Sequence, residues 1–308
     1  MTEERVPVDP ESSRAWVEVA QGTRISWHIF RNVPLPCEGS NFAAMRDLYP
    51  YEPVDERARS YVGAALEHLV MWADHAAPFK FHPEHEANFH QRPPYTLARA
   101  AMESAAQAVW MLDTREPVEC VRRHLCLIRW DLQEHKRSKL ERNEKEQVVA
   151  RENDLIRRVS QVFTEDETRP PQGYLWVLQR ACDADGLDLG ADRVERLWRA
   201  ASGSAHGMYW PTQDLQRLVE VPVEDGKSRQ IRVADTQGVA DVLRAAYEMT
   251  QYAVLKYAEF AGADIWALLN ASRAWLASKV TIRDDADPLI LARLRSAIEP
   301  PEPGSTPP

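Results

Sequence analysis

Between residues 202 and 207 the chain packs Ser202, Gly203, Ser204, His206 and Gly207, its densest run of groups able to do chemistry. Arg199 lies three residues before Ser202. On a helix, Arg199, Ser202 and His206 stand at i, i+3 and i+7 and share one face. A guanidinium there would hold an anion such as a phosphate, and an imidazole would pass a proton near neutral pH. The alternative is structural: Ser202 and the glycines allow a close helix crossing, and His206 caps a helix or bonds a neighbour. Arg99 and Glu103 form a second pair at i, i+4 within the alanine-rich run 95–113. Such a run reads as a buried helix, where an unpaired charge is costly. The two charges therefore satisfy each other, or they face Arg199 and His206 across the fold. A Glu103 facing His206 would orient the ring.

The elements Arg99-Ala-Ala-Met-Glu103, Val109-Trp110-Met-Leu112-Asp113 and Trp198-Arg199-x-x-Ser202-x-x-x-His206-Gly207 resemble a group of helical proteins of high-GC Gram-positive bacteria and their phages. The likeness covers about residues 95–260. That group is similar to the HEPN superfamily, many of whose members are metal-independent ribonucleases of toxin and defence systems. Its enzymes carry an Arg, four to six residues, then a His, with a polar residue after the Arg. Six residues separate Arg199 from His206, but Ala200 follows the Arg; five separate Arg129 from His135, but Trp130 follows. The resemblance implies a helical ribonuclease or nucleotide-binding component, a homodimer, and RNA cleaved by its own 2′-hydroxyl. His206 would then move the proton, Arg199 would stabilise the charged phosphorane, and Glu103, Arg99 and Ser202 would complete a polar centre without a cofactor. Tyr209 and Trp210, just past the histidine, would stack on a base.

Two other readings compete. His68, His75, His82, His85 and His90 cluster with Asp74, Glu84 and Glu86, so a metal-binding bundle is one; their spacing matches no known ligand pattern, and a polar His-rich loop is the simpler account. The other is a non-catalytic interaction protein that uses the mixed-charge segment 133–158 as its contact surface. The net charge of −9 argues against a fold-wide basic surface for nucleic acid, though not against a local one. The four cysteines, Cys37, Cys120, Cys126 and Cys182, have no paired motif spacing and read as reduced thiols. The start Met-Thr-Glu-Glu-Arg has no apolar run behind it, and no apolar stretch approaches the length that spans a bilayer, so the expected setting is cytoplasmic with no membrane partner.

Hydrophobic periodicity supplies the elements that would position these groups. Helices are expected at about 54–77, 95–113, 117–163 with a break near Arg142-Asn143, 174–183, 191–202, 236–260 and 263–279, with a short one at 288–298. Thr236 is the expected cap of its helix. At 217–233 the period changes to two around Asp225-Gly226, the signature of a β-hairpin. Residues 1–54, with aromatics scattered among prolines, read as an irregular arm, and residues 299–308 as a proline-rich disordered tail. The fold class is all-α: a single multi-helix bundle over 55–298 with one hairpin insertion, the 133–158 segment projecting from it.

Overall fold

A computed structural model describes residues 8–79, 89–222 and 227–280. It is an all-α bundle with one small hairpin, as the periodicity predicts. Eleven helices lie in the described residues. The organising one is α4 (Arg92–Leu112), whose Ala98, Ala101, Ala105, Ala106 and Ala108 are buried. Small side chains on so many faces let neighbours close in on all sides. Around it pack α3 (Val54–Ala76), α5 (Pro117–Ser138), α7 (Tyr174–Cys182), α8 (Ala191–Ala205) and α10 (Thr236–Phe260), of which α10 and α3 share the most extensive contacts with it. Pro93 and Pro94 fall in the first turn of α4, where a missing N–H costs nothing, so the helix begins three residues earlier than its periodicity suggests.

The N-terminal region overturns one expectation. Residues 10–32 are not an irregular arm but α1 (Pro10–Asn32), a helix of 23 residues, and α2 (Asn41–Leu48) follows. The prolines bound these helices rather than break them. Pro10 sits in the first turn behind the cap Asp9, whose carboxylate accepts from Ser12 N at 2.9 Å, and Pro34 and Pro36 follow the last turn. Between them Trp16, Val19, Ala20, Thr23 and Phe30 keep a helical spacing and are buried. Helix α1 packs on α3, α10 and α11 (Ile265–Lys279), where His28 Nδ1 meets Ser272 Oγ at 2.9 Å and its ring stacks on Trp275. The cap of α10 is Asp235, which accepts from Gln237 N, rather than Thr236, whose hydroxyl donates to Asp9.

The charged segment does not project alone. After a break at 139–141 the chain folds back as α6 (Arg142–Val159) along α5. The pairs Arg129–Glu152 and Lys139–Glu144 run in opposite sequence directions, so the two helices are antiparallel. The short helix α9 (Pro211–Asp214) leads into strand β1 (Gln216–Pro222), which pairs antiparallel with β2 (Ser228–Ala234) in the register Gln216↔Ala234 to Pro222↔Ser228. The hairpin is therefore where expected; its Asp225-Gly226 turn lies outside the described residues. So do the expected helix 288–298 and the tail 299–308.

Burial fits the thiol reading: it pushes Cys120 up to about 12 and Cys126 and Cys182 up to about 11, which makes them poor nucleophiles. All four cysteines are free thiols. Among the described residues, no helix is long and apolar enough to cross a membrane.

Candidate functional site

The residues at the end of α8 owe their arrangement to a helix stop. Gly207 has a φ of +71°, the left-handed conformation open to glycine. Its N–H donates to Ser204 O at 3.1 Å, and the next N–H, of Met208, donates to Gly203 O at 2.9 Å. That pair of bonds is a Schellman motif. It makes His206 the cap residue, its own N–H donating to Ser202 O at 3.1 Å. The helix therefore ends at Ala205, one residue before the histidine.

Gly203 has a separate reason to be glycine. A Cβ there would lie 2.7 Å from Pro211 Cγ and 3.0 Å from Trp210 Cζ2. The missing side chain lets the segment after the stop fold back onto α8. Gly203→Ala should destabilise the fold by about 1–3 kcal/mol through overpacking; urea unfolding followed by circular dichroism measures this, and an unchanged midpoint would show that Pro211 can give way.

The polar centre forms between α4 and α8. Glu103 Oε1 accepts from Arg99 Nε at 2.7 Å and from Trp198 Nε1 at 2.8 Å. Arg99 then reaches across the helix pair, with Nη1 3.2 Å from His206 Nε2. Arginine can only donate, so this contact needs a lone pair on Nε2 and puts the ring proton on Nδ1. The ends of the chain differ in exposure: the Glu103 side chain is 13% exposed and that of Arg99 22%, whereas His206 is open to solvent. Anchoring is thus deepest at Glu103 and the imidazole stands at the mouth. Tyr174, at the start of α7, borders the pair, and burial together with the Glu103 charge raises its phenol pKa.

Of the expected site residues, Arg99, Glu103 and His206 come together. The histidine faces Arg99 rather than Glu103, and the carboxylate acts on it only through the guanidinium. Arg199 does not join them. Its Nε donates to Glu195 Oε1 at 2.7 Å, while the other Glu195 oxygen accepts from Gln179, and the Arg199 side chain stays 54% exposed. Ser202 contributes the carbonyl that receives the His206 N–H. Tyr209 is 70% exposed, and Trp210 lies half over Gly203. The alternative spacing match has another occupation: Arg129 is buried and bonds Glu152, Glu165 O and both oxygens of Thr168.

Two residues escaped sequence reasoning. Trp198 enters the resemblance with no role of its own, yet its indole N–H fixes Glu103. Arg92 stands with Nη1 3.0 Å from where a Cβ of Gly207 would lie, beside the helix stop. Neither carries a local signal, since both depend on how α4 crosses α8. Among the described residues, no three His, Cys, Asp or Glu side chains are placed to hold a metal ion. His82 and His85, part of the metal reading, lie outside the described residues. No family model, curated protein or solved structure matches the chain.

Proposed function

We propose that this protein is a HEPN-like ribonuclease that cleaves RNA without a metal, at the mouth of the α4–α8 groove. The observation that carries the reading is the contact between Arg99 and the open His206, backed by a half-buried carboxylate and an indole. An imidazole whose Nε2 lone pair is free when Arg99 swings to a phosphate can take the proton of a ribose 2′-hydroxyl. The 2′-oxygen then bonds to the adjacent phosphorus, the bond to the 5′-oxygen breaks, and that oxygen takes a proton from water. Arg99 meets the charge that grows on the phosphoryl oxygens. The role that spacing assigns to Arg199 thus passes to Arg99. Arg92 and Tyr209 flank the groove as contacts for the strand, with Tyr209 offering a ring to a base. A homodimer in the cytoplasm belongs to the same reading, and a monomeric mass in light scattering would remove the dimer from it.

The second reading is a non-catalytic interaction protein, favoured by the fact that Arg99 and Glu103 already satisfy each other. Cleavage of mixed RNA in EDTA separates the two. Arg99→Ala and His206→Ala should each lower the rate about 100-fold or more, with unchanged circular dichroism, while Arg199→Ala, whose guanidinium is held by Glu195 away from the groove, leaves it unchanged. An inactive wild type, with both variants destabilised, would assign these residues to holding α8 on α4.

A further inference from the structure

Two hollows lie side by side along α5 and share Gln133 and Arg137. The first, of about 420 Å³, is within the range of small-molecule sites. Trp130 and Tyr174 form its apolar wall, with ring centroids 4.7 Å apart and planes inclined at 54°, so the rings meet as an open corner rather than a closed stack. Gly173, with a φ of +108°, turns the chain from Pro171 into α7 and sets Tyr174 at the first position of that helix, 43% exposed. The amides of Gln133 and Gln172 line the same hollow, each with a donor and an acceptor. An open aromatic corner beside amides fits a flat ring with polar edges, which is the chemistry of a nucleobase.

The second hollow, of about 480 Å³, lies between α5 and α6 and carries Lys136, Arg137 and Lys145. The carboxylate that lines it, Glu152, is already bonded to Arg129, and Arg137 is paired with Glu134. The neighbouring Glu144 and Glu146 are held by Lys139 and Arg142. Among the described residues Lys136 and Lys145 are in no ion pair. Two unbalanced ammonium groups thus face one groove of a chain whose net charge is −9. A concave surface lined by one sign of charge draws the opposite sign to it.

The two hollows are continuous with the candidate site, because Tyr174 lines the first of them and also borders Arg99 and Glu103. Aromatic rings open to stacking, next to cations that can track a backbone, are how proteins hold an unpaired nucleic-acid strand. A duplex keeps its bases stacked on each other and leaves such a corner empty. We propose that single-stranded RNA runs from His206 across Tyr174, where a base stacks in the corner with Trp130, and on to phosphate contacts with Lys136 and Lys145. The choice of RNA rests on the nuclease reading; the single strand and its path rest on the two hollows.

A fluorescent 2′-O-methyl oligouridine of about twelve nucleotides, within the site size of single-strand binders, tests it with the full chain. Its blocked 2′-oxygen cannot attack, so binding is read apart from cleavage. Anisotropy should rise to saturation with this strand, and a duplex of the same length should bind more weakly. Tyr174→Leu keeps an apolar neighbour for Trp130 and should weaken binding about fivefold or more, the loss of one stacked base. Lys136→Ala with Lys145→Ala should flatten the slope of log affinity against log salt by about 1.4, at about 0.7 for each phosphate contact. Arg273→Ala with Lys279→Ala, an equal change of charge at exposed positions of α11, should leave the slope unaltered. The proposal falls if no saturable rise is seen, if the duplex binds as tightly, or if the α5–α6 lysine pair changes the slope no more than the α11 pair. A wild type that binds this strand but cleaves no RNA in EDTA loses the nuclease reading and keeps the path. A wild type that cleaves RNA but binds without regard to Tyr174 and both lysines keeps the nuclease reading and loses the path.

Discussion

Arg129→Ala will lower the unfolding free energy by about 3–5 kcal/mol, the loss expected when one partner of a buried charge network is removed. Arg129 is 6% exposed and ties three pieces of chain together. Its Nε donates to Glu152 on α6 at 3.1 Å, and its Nη1 donates to Glu165 O at 2.8 Å and to Thr168 O and Oγ1 at 3.3 and 3.2 Å. Thr168 is itself fully buried, so truncation leaves its carbonyl without the charged donor and leaves Glu152, on a side chain only 18% exposed, without its cation. Arg142→Ala is the matched control. That side chain is 93% exposed in an i, i+4 pair with Glu146, and its loss should change stability by about 0.5 kcal/mol at most. Urea unfolding compares the two. A loss below about 1 kcal/mol for Arg129→Ala would mean that the 164–168 turn is held from elsewhere.

Acidification from pH 6.5 to pH 4 will cost the protein about 3 kcal/mol through His124 alone, at about 1.4 kcal/mol for each pH unit. His124 is fully buried on α5, with Nε2 donating to Glu52 O at 2.8 Å and Nδ1 without a partner. Burial pulls its pKa from the ordinary 6.5 down to about 4. Between those values the unfolded chain holds a proton that the native state refuses, so stability falls as the pH falls and the contribution is gone below pH 4. His124→Gln keeps a donor for Glu52 and does not titrate. Its urea midpoint should therefore fall less than that of the wild type over this range, carboxylate effects being common to both. Parallel pH dependence in the two proteins would place the acid sensitivity elsewhere.

Much of the frame is legible from spacing. The helices α3 and α10 carry long apolar stripes with clear stops, Pro78 for one and Gly262 for the other, and their observed ends agree with the periodicity to within a residue. The alanines of α4 mark it as the central helix for a physical reason, since close approach requires small side chains. Residues 10–32 were harder to read because the same prolines that delimit α1 and its exit look like breakers when no cap is known. The polar centre is half legible. Arg99 with Glu103 follows from i, i+4 spacing on one helix. Which of them meets His206 depends on the α4–α8 crossing, and no periodicity within one helix contains it. The expectation that Arg199 shares a face with His206 assumed a helix running through residue 206; the Schellman stop at Gly207 ends it at Ala205, and Glu195 holds the guanidinium.

The most extensive packing in the bundle joins α4, which ends at Leu112, to α10, which ends at Phe260. During synthesis the alanine-lined face of α4 therefore emerges long before its main cover. At about 5–20 residues per second, the wait is about 7–30 s. Over that interval a growing chain leaves the α10-facing side of α4 uncovered, and any product that stops short of α10 keeps it so. Truncated chains of this protein should be ready clients for chaperones and proteases, while the α4 face is covered once synthesis has passed Phe260.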